Sequence, residues 1–281
     1  MAKNLSALYN EFRQVLSQGE LDLAQAAMVI ARLEYPDLNP TNSLRIIDSL
    51  AEAIKKRIPE SATLEQKLRA IVQYLFHEEN YRGNDTNYYD PRNSCLNEVL
   101  VSKLGIPISL SVLFIEIARR LDLRVDGISF PGHFLVQVRC DEGLIVLDPF
   151  NHGETLSEYQ LRRRLVDIQG DDEAYNFDLR EWLVPASPHE MLVRMLRNLK
   201  RIYMEERDNE KAIAAMSLIL IADPSSSLEL RERGLLYRDM EAFRAALADL
   251  TEYLKLKPDA DDAEVVHHLI IELKGINARL N

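Results

Sequence analysis

The chain has 281 residues, 47% apolar and 28% charged, with a formal net charge of −11 and an isoelectric point near 5.1. That length suits about two domains, and the composition is that of a folded globular protein rather than a disordered one. The acid excess argues against nucleic acid and anionic membrane as partners, and no run approaches the ~20 apolar residues needed to cross a bilayer.

The first stretch, "MAKNLSALYNEFRQVLSQGE", lacks a long apolar segment and a clear cleavage site. Two cysteines, Cys95 and Cys140, form no disulfide framework and suit a reducing compartment, so a cytoplasmic protein is expected. Residues 1–60 read as an N-terminal helical region. Leu21, Ala24, Met28, Val29 and Leu33 recur at helical spacing before Pro36. A second helix, "TNSLRIIDSLAEAIKKRI", is expected to be capped at Thr41 to Ser43 and to stop before Pro59. Thr63 followed by Gln66 reads as a capping box, with Leu64, Leu68, Ile71, Val72 and Leu75 as the apolar face behind it.

Residues 61–183 read as a core domain. The polar loop "NYRGNDTNYYDPRNS" leads into a short helix, "CLNEVLVSKLG". In "IPISLSVLFIEIARRLDL" the apolar residues cover almost the whole circumference, which predicts a buried helix with Pro107 in its first turn. From Arg124 the period changes to two. "RVDGISF", "HFLVQVRC" and "LIVLDPF" read as strands, with "DEG" as a tight hairpin between the last two. Helical pattern returns at "TLSEYQLRRRLVDI", where Arg162 to Arg164, the densest basic run, reads as a solvated helix face. An acidic loop, "QGDDEAYN", follows, and the two prolines of "LVPASP" read as a domain boundary.

Residues 189–281 carry a repeat. Tyr203 and Tyr237, Ala212 and Ala246, Met216 and Leu250, Leu220 and Leu254, and Pro224 and Pro258 are all 34 apart. That is the period of the tetratricopeptide repeat: two antiparallel helices, small residues where they pack closely, and a proline ending the second. Gly234 sits at the small position of a first helix, and its equivalent one period earlier is Lys200.

The hairpin raises a chemical question. If its loop is Asp141-Glu142, paired residue numbers sum to 283, and His133 and Asp148 become diagonal neighbours on one face. A three-residue loop would put them on opposite faces. Two readings follow. Asp148 orients the imidazole of His133 in a nucleophile–base–orienter set, or a strand-end histidine is capped by a turn aspartate.

The stretches "DPRNSCLNEVL", "GIPISLSVL", "FPGHFLV" and "LDPF" resemble the transglutaminase-like superfamily, and more closely its bacterial SirB-type branch, which joins this core to tetratricopeptide repeats. The resemblance covers roughly residues 5–270. It implies an α+β fold: a helical N-terminal region and a papain/transglutaminase-like core with a small antiparallel sheet, followed by an all-α repeat region. It also implies a nucleophilic cysteine at the start of the buried helix, with His133 and Asp148 as partners. Aligned by its glycine, this sequence places Pro107 where that cysteine belongs.

The chain therefore reads as more a pseudoenzyme than an active thiol enzyme. Ser109 and Ser111 lie near the vacant position but do not match it. Cys95, at the start of the preceding helix, is the candidate replacement nucleophile; the alternative is a small buried cysteine. In "YYDPRNS", Tyr89, Arg92 and Asn93, together with Ser109, are candidate ligand-binding residues. The plainer reading gives Asp90, Asn93 and Ser94 to turns and caps. The remaining histidines lack metal-ligand spacing, and neither metal nor cofactor is expected. Three functions remain: a non-catalytic protein that binds a protein or peptide partner, a thiol or serine hydrolase or acyltransferase with a displaced nucleophile, and a small-ligand sensor.

Overall fold

The computed structural model describes residues 2–19, 21–141, 143–169 and 178–280. It divides into two units: Gln14–Met195, and Met1–Arg13 together with Leu196–Asn281. The chain opens with α1 (Ala2–Leu16), α2 (Leu23–Ala31), α3 (Pro40–Lys55) and α4 (Leu64–Val72), the last continuing into a π turn at Gln73–Glu78. The cap of α3 lies earlier than its sequence suggested. The side chain of Asn39 accepts from the Thr41 amide at 3.0 Å, and Pro40 fills the first helical position, where no N–H is needed. The capping box at α4 forms as read: Thr63 N donates to Gln66 Oε1 at 2.9 Å, and Gln66 N to Thr63 Oγ1 at 3.3 Å.

Next come β1 (Arg82–Gly83), a 3₁₀ turn at Pro91–Ser94, α5 (Leu96–Ser102), β2 (Leu104–Gly105) and α6 (Pro107–Arg120). Every residue of α6 from Pro107 to Ala118 is buried. Its all-round apolar surface requires company on all sides, which α2, α3, α4, α5, β3 (Asp126–Ile128) and β4 (Leu135–Cys140) supply. After β4 come β5 (Gly143–Asp148), a 3₁₀ turn at Pro149–Asn151, β6 (Glu154–Leu156), α7 (Glu158–Gln169), a 3₁₀ turn at Leu179–Trp182 and β7 (Pro185–Ala186).

The main sheet is antiparallel throughout, in the order β6-β5-β4-β3-β7. In the hairpin Cys140 pairs with Gly143 and Val136 with Leu147, the register that places His133 and Asp148 on one face. On that face Ile128, Leu135, Val146 and Leu156 pack against Leu161 and Leu165 of α7. The stretch Leu183–Pro188, read as a boundary, supplies the edge strand β7 against β3. A proline is tolerated there because an edge strand leaves one row of amides unpaired. The parallel pair β1–β2 is too short to show in a sequence pattern. The acidic loop "QGDDEAYN" begins at Gln169 and otherwise lies outside the described residues.

The second unit holds the repeat helices: α8 (Pro188–Glu205), whose first turns belong to the first unit, then α9 (Asn209–Ala222), α10 (Ser227–Asp239), α11 (Phe243–Leu256) and α12 (Ala263–Leu280). Apart from the exposed prolines, the matched pairs are its packing residues. Tyr203, Ala212, Met216, Ala246 and Leu250 are all buried. A Cβ at Gly234 would come within 2.9 Å of Leu250, so only glycine lets α10 and α11 approach this closely. Lys200, its counterpart in α8, is accommodated by ion pairs with Glu229 (3.3 Å) and Glu232 (2.7 Å) of α10. No helix among the described residues is long and apolar enough to cross a membrane.

Candidate functional site

β4 begins just after a tight bend. Gly132 adopts φ +66°, a conformation open to glycine, and the His133 amide donates to Phe130 O at 3.0 Å. Asp148 ends β5 and caps the following turn, accepting at Oδ1 from the amides of Phe150 (3.1 Å) and Asn151 (3.3 Å). Across the hairpin diagonal, His133 Nε2 lies 2.8 Å from the same Oδ1. Asp148 Oδ2 accepts from Asn151 Nδ2 at 2.7 Å and from Arg164 Nη1 of α7 at 2.8 Å.

Asp148 is fully buried, and burial alone would raise its pKa. The hydrogen bond and charge of His133 oppose that, followed by the bonds from Asn151 and Arg164. Together they hold the carboxyl down at about 2. An ionised carboxylate only accepts, so the shared proton sits on Nε2 of His133. The other ring nitrogen, Nδ1, has no hydrogen-bond partner among the described residues. An imidazole held by a carboxylate in this way has the geometry of the base and orienter in a nucleophile–base–orienter set.

Arg164 and Asn151 escaped the sequence reading. Arg164 lies in the run taken for a solvated face, where Arg162 pairs along the helix with Glu158 one turn back at 2.7 Å. Arg164 instead turns to Asp148. The signal was its spacing: three residues from Leu161 and beside Leu165, it falls on the apolar face of α7.

At the start of α6 the Ser109 hydroxyl is fully engaged, whereas the buried Ser111 hydroxyl has no hydrogen-bond partner among the described residues. Pro107 is buried and offers no side-chain donor or acceptor. The Ser109 hydroxyl accepts from Ile106 N at 3.0 Å and lies 2.6 Å from Asn93 O and 3.1 Å from Ile106 O. It ties the helix start to the loop before α5. A short path leads from here to the imidazole. Gly105 pairs with Gly83, and a Cβ at Gly83 would lie 2.5 Å from the Phe150 ring. Phe150 meets His133 edge-on, with ring centroids 5.7 Å apart.

The other candidates distribute around this axis. Tyr89 is exposed and packs edge-to-face on Tyr88, which in turn meets Phe150 at 6.1 Å. The structure thus strings His133, Phe150, Tyr88 and Tyr89 into one aromatic row. Asn93 is committed to its loop: Nδ2 donates to Asn87 O (2.7 Å) and Tyr88 O (3.2 Å), and Oδ1 accepts from Asn84 (2.9 Å). Arg92 forks onto Asp90 at 2.6–3.1 Å. Cys95 is fully buried at the start of α5, its sulfur 3.6 Å from Pro91 O. It lies close enough to Tyr35 and Glu98 to contribute, after burial and Glu98 itself, to raising the Tyr35 pKa. Among the described residues no group of three or more His, Cys, Asp and Glu side chains is placed to hold a metal ion.

A buried helix set against an antiparallel sheet that carries a His–Asp pair, followed by 34-residue helical hairpins, defines a papain-like core joined to tetratricopeptide repeats. The signature of the transglutaminase-like superfamily matches residues 41–197, and that of the tetratricopeptide repeat matches residues 199–270. The chain belongs to the transglutaminase-like superfamily, in its SirB-type branch. It is 40% identical to a UPF0162 protein of Xylella fastidiosa (strain 9a5c) over 91% of each chain. It is 29% identical to Protein SirB1 of Salmonella typhimurium, covering 85% of this chain and 87% of that one. The UPF0162 protein YchA of Escherichia coli K12 is 28% identical, over 84% and 85% of the two chains.

Proposed function

We propose that this chain is a non-catalytic transglutaminase-like protein that binds a protein or peptide partner through its tetratricopeptide repeats. The observation that carries the first half is the start of α6. The position where the family resemblance expects a nucleophile is Pro107, and the nearby Ser109 hydroxyl is held by three backbone groups. In this reading the His133–Asp148–Arg164 network serves as a clasp that locks β4, β5 and α7 together. The second half rests on the repeats, which generally mediate protein–protein interaction.

A hydrolase or acyltransferase reading has one observation in its favour, the 2.8 Å His133–Asp148 bond with Nδ1 left over. One experiment separates the non-catalytic reading from the thiol form of this one. The alkylation rate of Cys95 is followed against pH in a Cys140→Ser background, with and without His133→Ala. The non-catalytic reading expects a slow reaction, indifferent to His133. Fast alkylation near neutral pH that slows when His133 is removed establishes a thiolate–imidazole pair and overturns it. The partner half is tested by capture with the full chain. A partner retained after deletion of residues 189–281 removes the repeats from the proposal.

A further inference from the structure

The repeat unit contains its own control. Each position in α10 and α11 has a counterpart 34 residues earlier in α8 and α9, built to the same plan. Many pairs match in character, and among those that differ one pair of neighbouring positions stands out. The first repeat holds Leu199 and Ala215, both fully buried. The second holds Arg233 and Asp249, joined by Nε to Oδ2 at 2.7 Å and Nη2 to Oδ1 at 2.8 Å. An apolar pair therefore satisfies this fold, and burying an ion pair instead is often neutral or costly for stability. The charge in the second repeat calls for another reason.

The reason on view is a cavity. Arg233 and Asp249 line an open space of about 440 Å³ among α1, α9, α10 and α11, bordered on the α1 side by Tyr9 and Arg13. Two guanidiniums face one carboxylate, so the lining is a net cation in a chain of net charge −11. Arg233 is held rigidly: besides Asp249, its Nη1 donates to Ser217 Oγ at 2.9 Å, and the hydroxyl itself donates to Ile213 O at 2.7 Å. These bonds use three of its five N–H groups and leave one on each terminal nitrogen. A fixed guanidinium with a donor left on both nitrogens suits a planar two-oxygen anion, and little rotamer freedom is lost on binding. Ala245 and Ala248, one turn apart on α11, give the lining an apolar part together with Leu220 and Ile221 of α9.

We infer that this cavity binds a small organic carboxylate, gripped by Arg233 and Arg13 with its apolar body against the alanines of α11. The inference does not depend on the partner reading, since it is tested with small acids and needs no macromolecule.

The test titrates the full chain with hexanoate, and with hexanamide as its uncharged counterpart, following thermal melting and calorimetric heat. Hexanoate is expected to raise the melting temperature saturably and hexanamide not to. The double variant Arg233→Leu/Asp249→Ala, which copies the pair already working in the first repeat, is expected to fold and to lose the response. Arg13 is exposed, so Arg13→Gln serves as the second variant whatever the fate of the first, and should weaken binding several-fold. Acetyl-Leu-Ala with a free or an amidated C-terminus distinguishes a chain end from a free acid as the source of the carboxylate. A response to either acid supports the site. Equal response to the amides, a response retained in both variants, or no saturable response to any carboxylate overturns it.

Discussion

The two ends of the candidate site are wired by the same kind of hydrogen bonds to opposite effect. At the sheet end, Asp148 gathers five donors, and the arrangement leaves one reactive atom, Nδ1 of His133, without a partner among the described residues. At the helix end, Ser109 spends its hydroxyl on the backbone of Ile106 and Asn93, beside a proline with nothing to offer, and the Ser111 hydroxyl, unpartnered among the described residues, is sealed in the core. Polar density alone therefore does not mark a working site. What matters is whether an atom is left over at the place where a reaction needs it.

The contrast can be broken at its strongest point first. Asp148→Ala removes the acceptor of five bonds and leaves Arg164 without its buried partner. It is expected to cost about 3–5 kcal/mol, read as a lower denaturant midpoint. If the loss is under about 1 kcal/mol, the clasp is not structural, and the pair has to be explained by chemistry. Ser109→Ala leaves a buried amide without its acceptor, and up to about 3 kcal/mol should go. A loss near zero would mean the helix start has slack, and the helix end would no longer be closed.

Acid gives the third measure. The folded pKa of Asp148, about 2, lies below its ordinary value. Its contribution is thus fully present above about pH 4 and fades as pH falls from there towards 2, by about 2 kcal/mol. In Asp148→Asn that part of the acid dependence should vanish. The smallest effect belongs to Arg92→Ala. Its ion pair with Asp90 is solvent-exposed, and no measurable change in melting temperature is expected. A clear loss would show that the loop before α5 depends on that fork.

Residue by residue, the sequence was informative where local geometry decides. The hairpin register follows from a two-residue loop, and with it the meeting of His133 and Asp148. Thr63 and Gln66 announce their capping box, and a 34-residue period announces the repeats. What stayed hidden depends on contacts distant in sequence. Arg164 reaches Asp148 only because α7 lies across the sheet, and its basic neighbours disguise the one arginine that meets the aspartate. Ser109 reads as a small polar residue in a first turn until Asn93 arrives 16 positions away in sequence. Asn39 and Thr41 are both good caps, and Pro40 decides between them by taking the first helical position.

The edges of the main sheet have a consequence for handling the protein. An open β edge invites another chain to add a strand, and a five-stranded sheet has two such edges. Here one is β6, three residues long and opening with exposed Glu154, and the other is β7, two residues long and opening with Pro185. Neither offers an incoming strand more than a few rungs, and Pro185 has no N–H to give. Concentrated samples should therefore resist strand-on-strand polymerisation, with the net negative charge adding mutual repulsion between molecules.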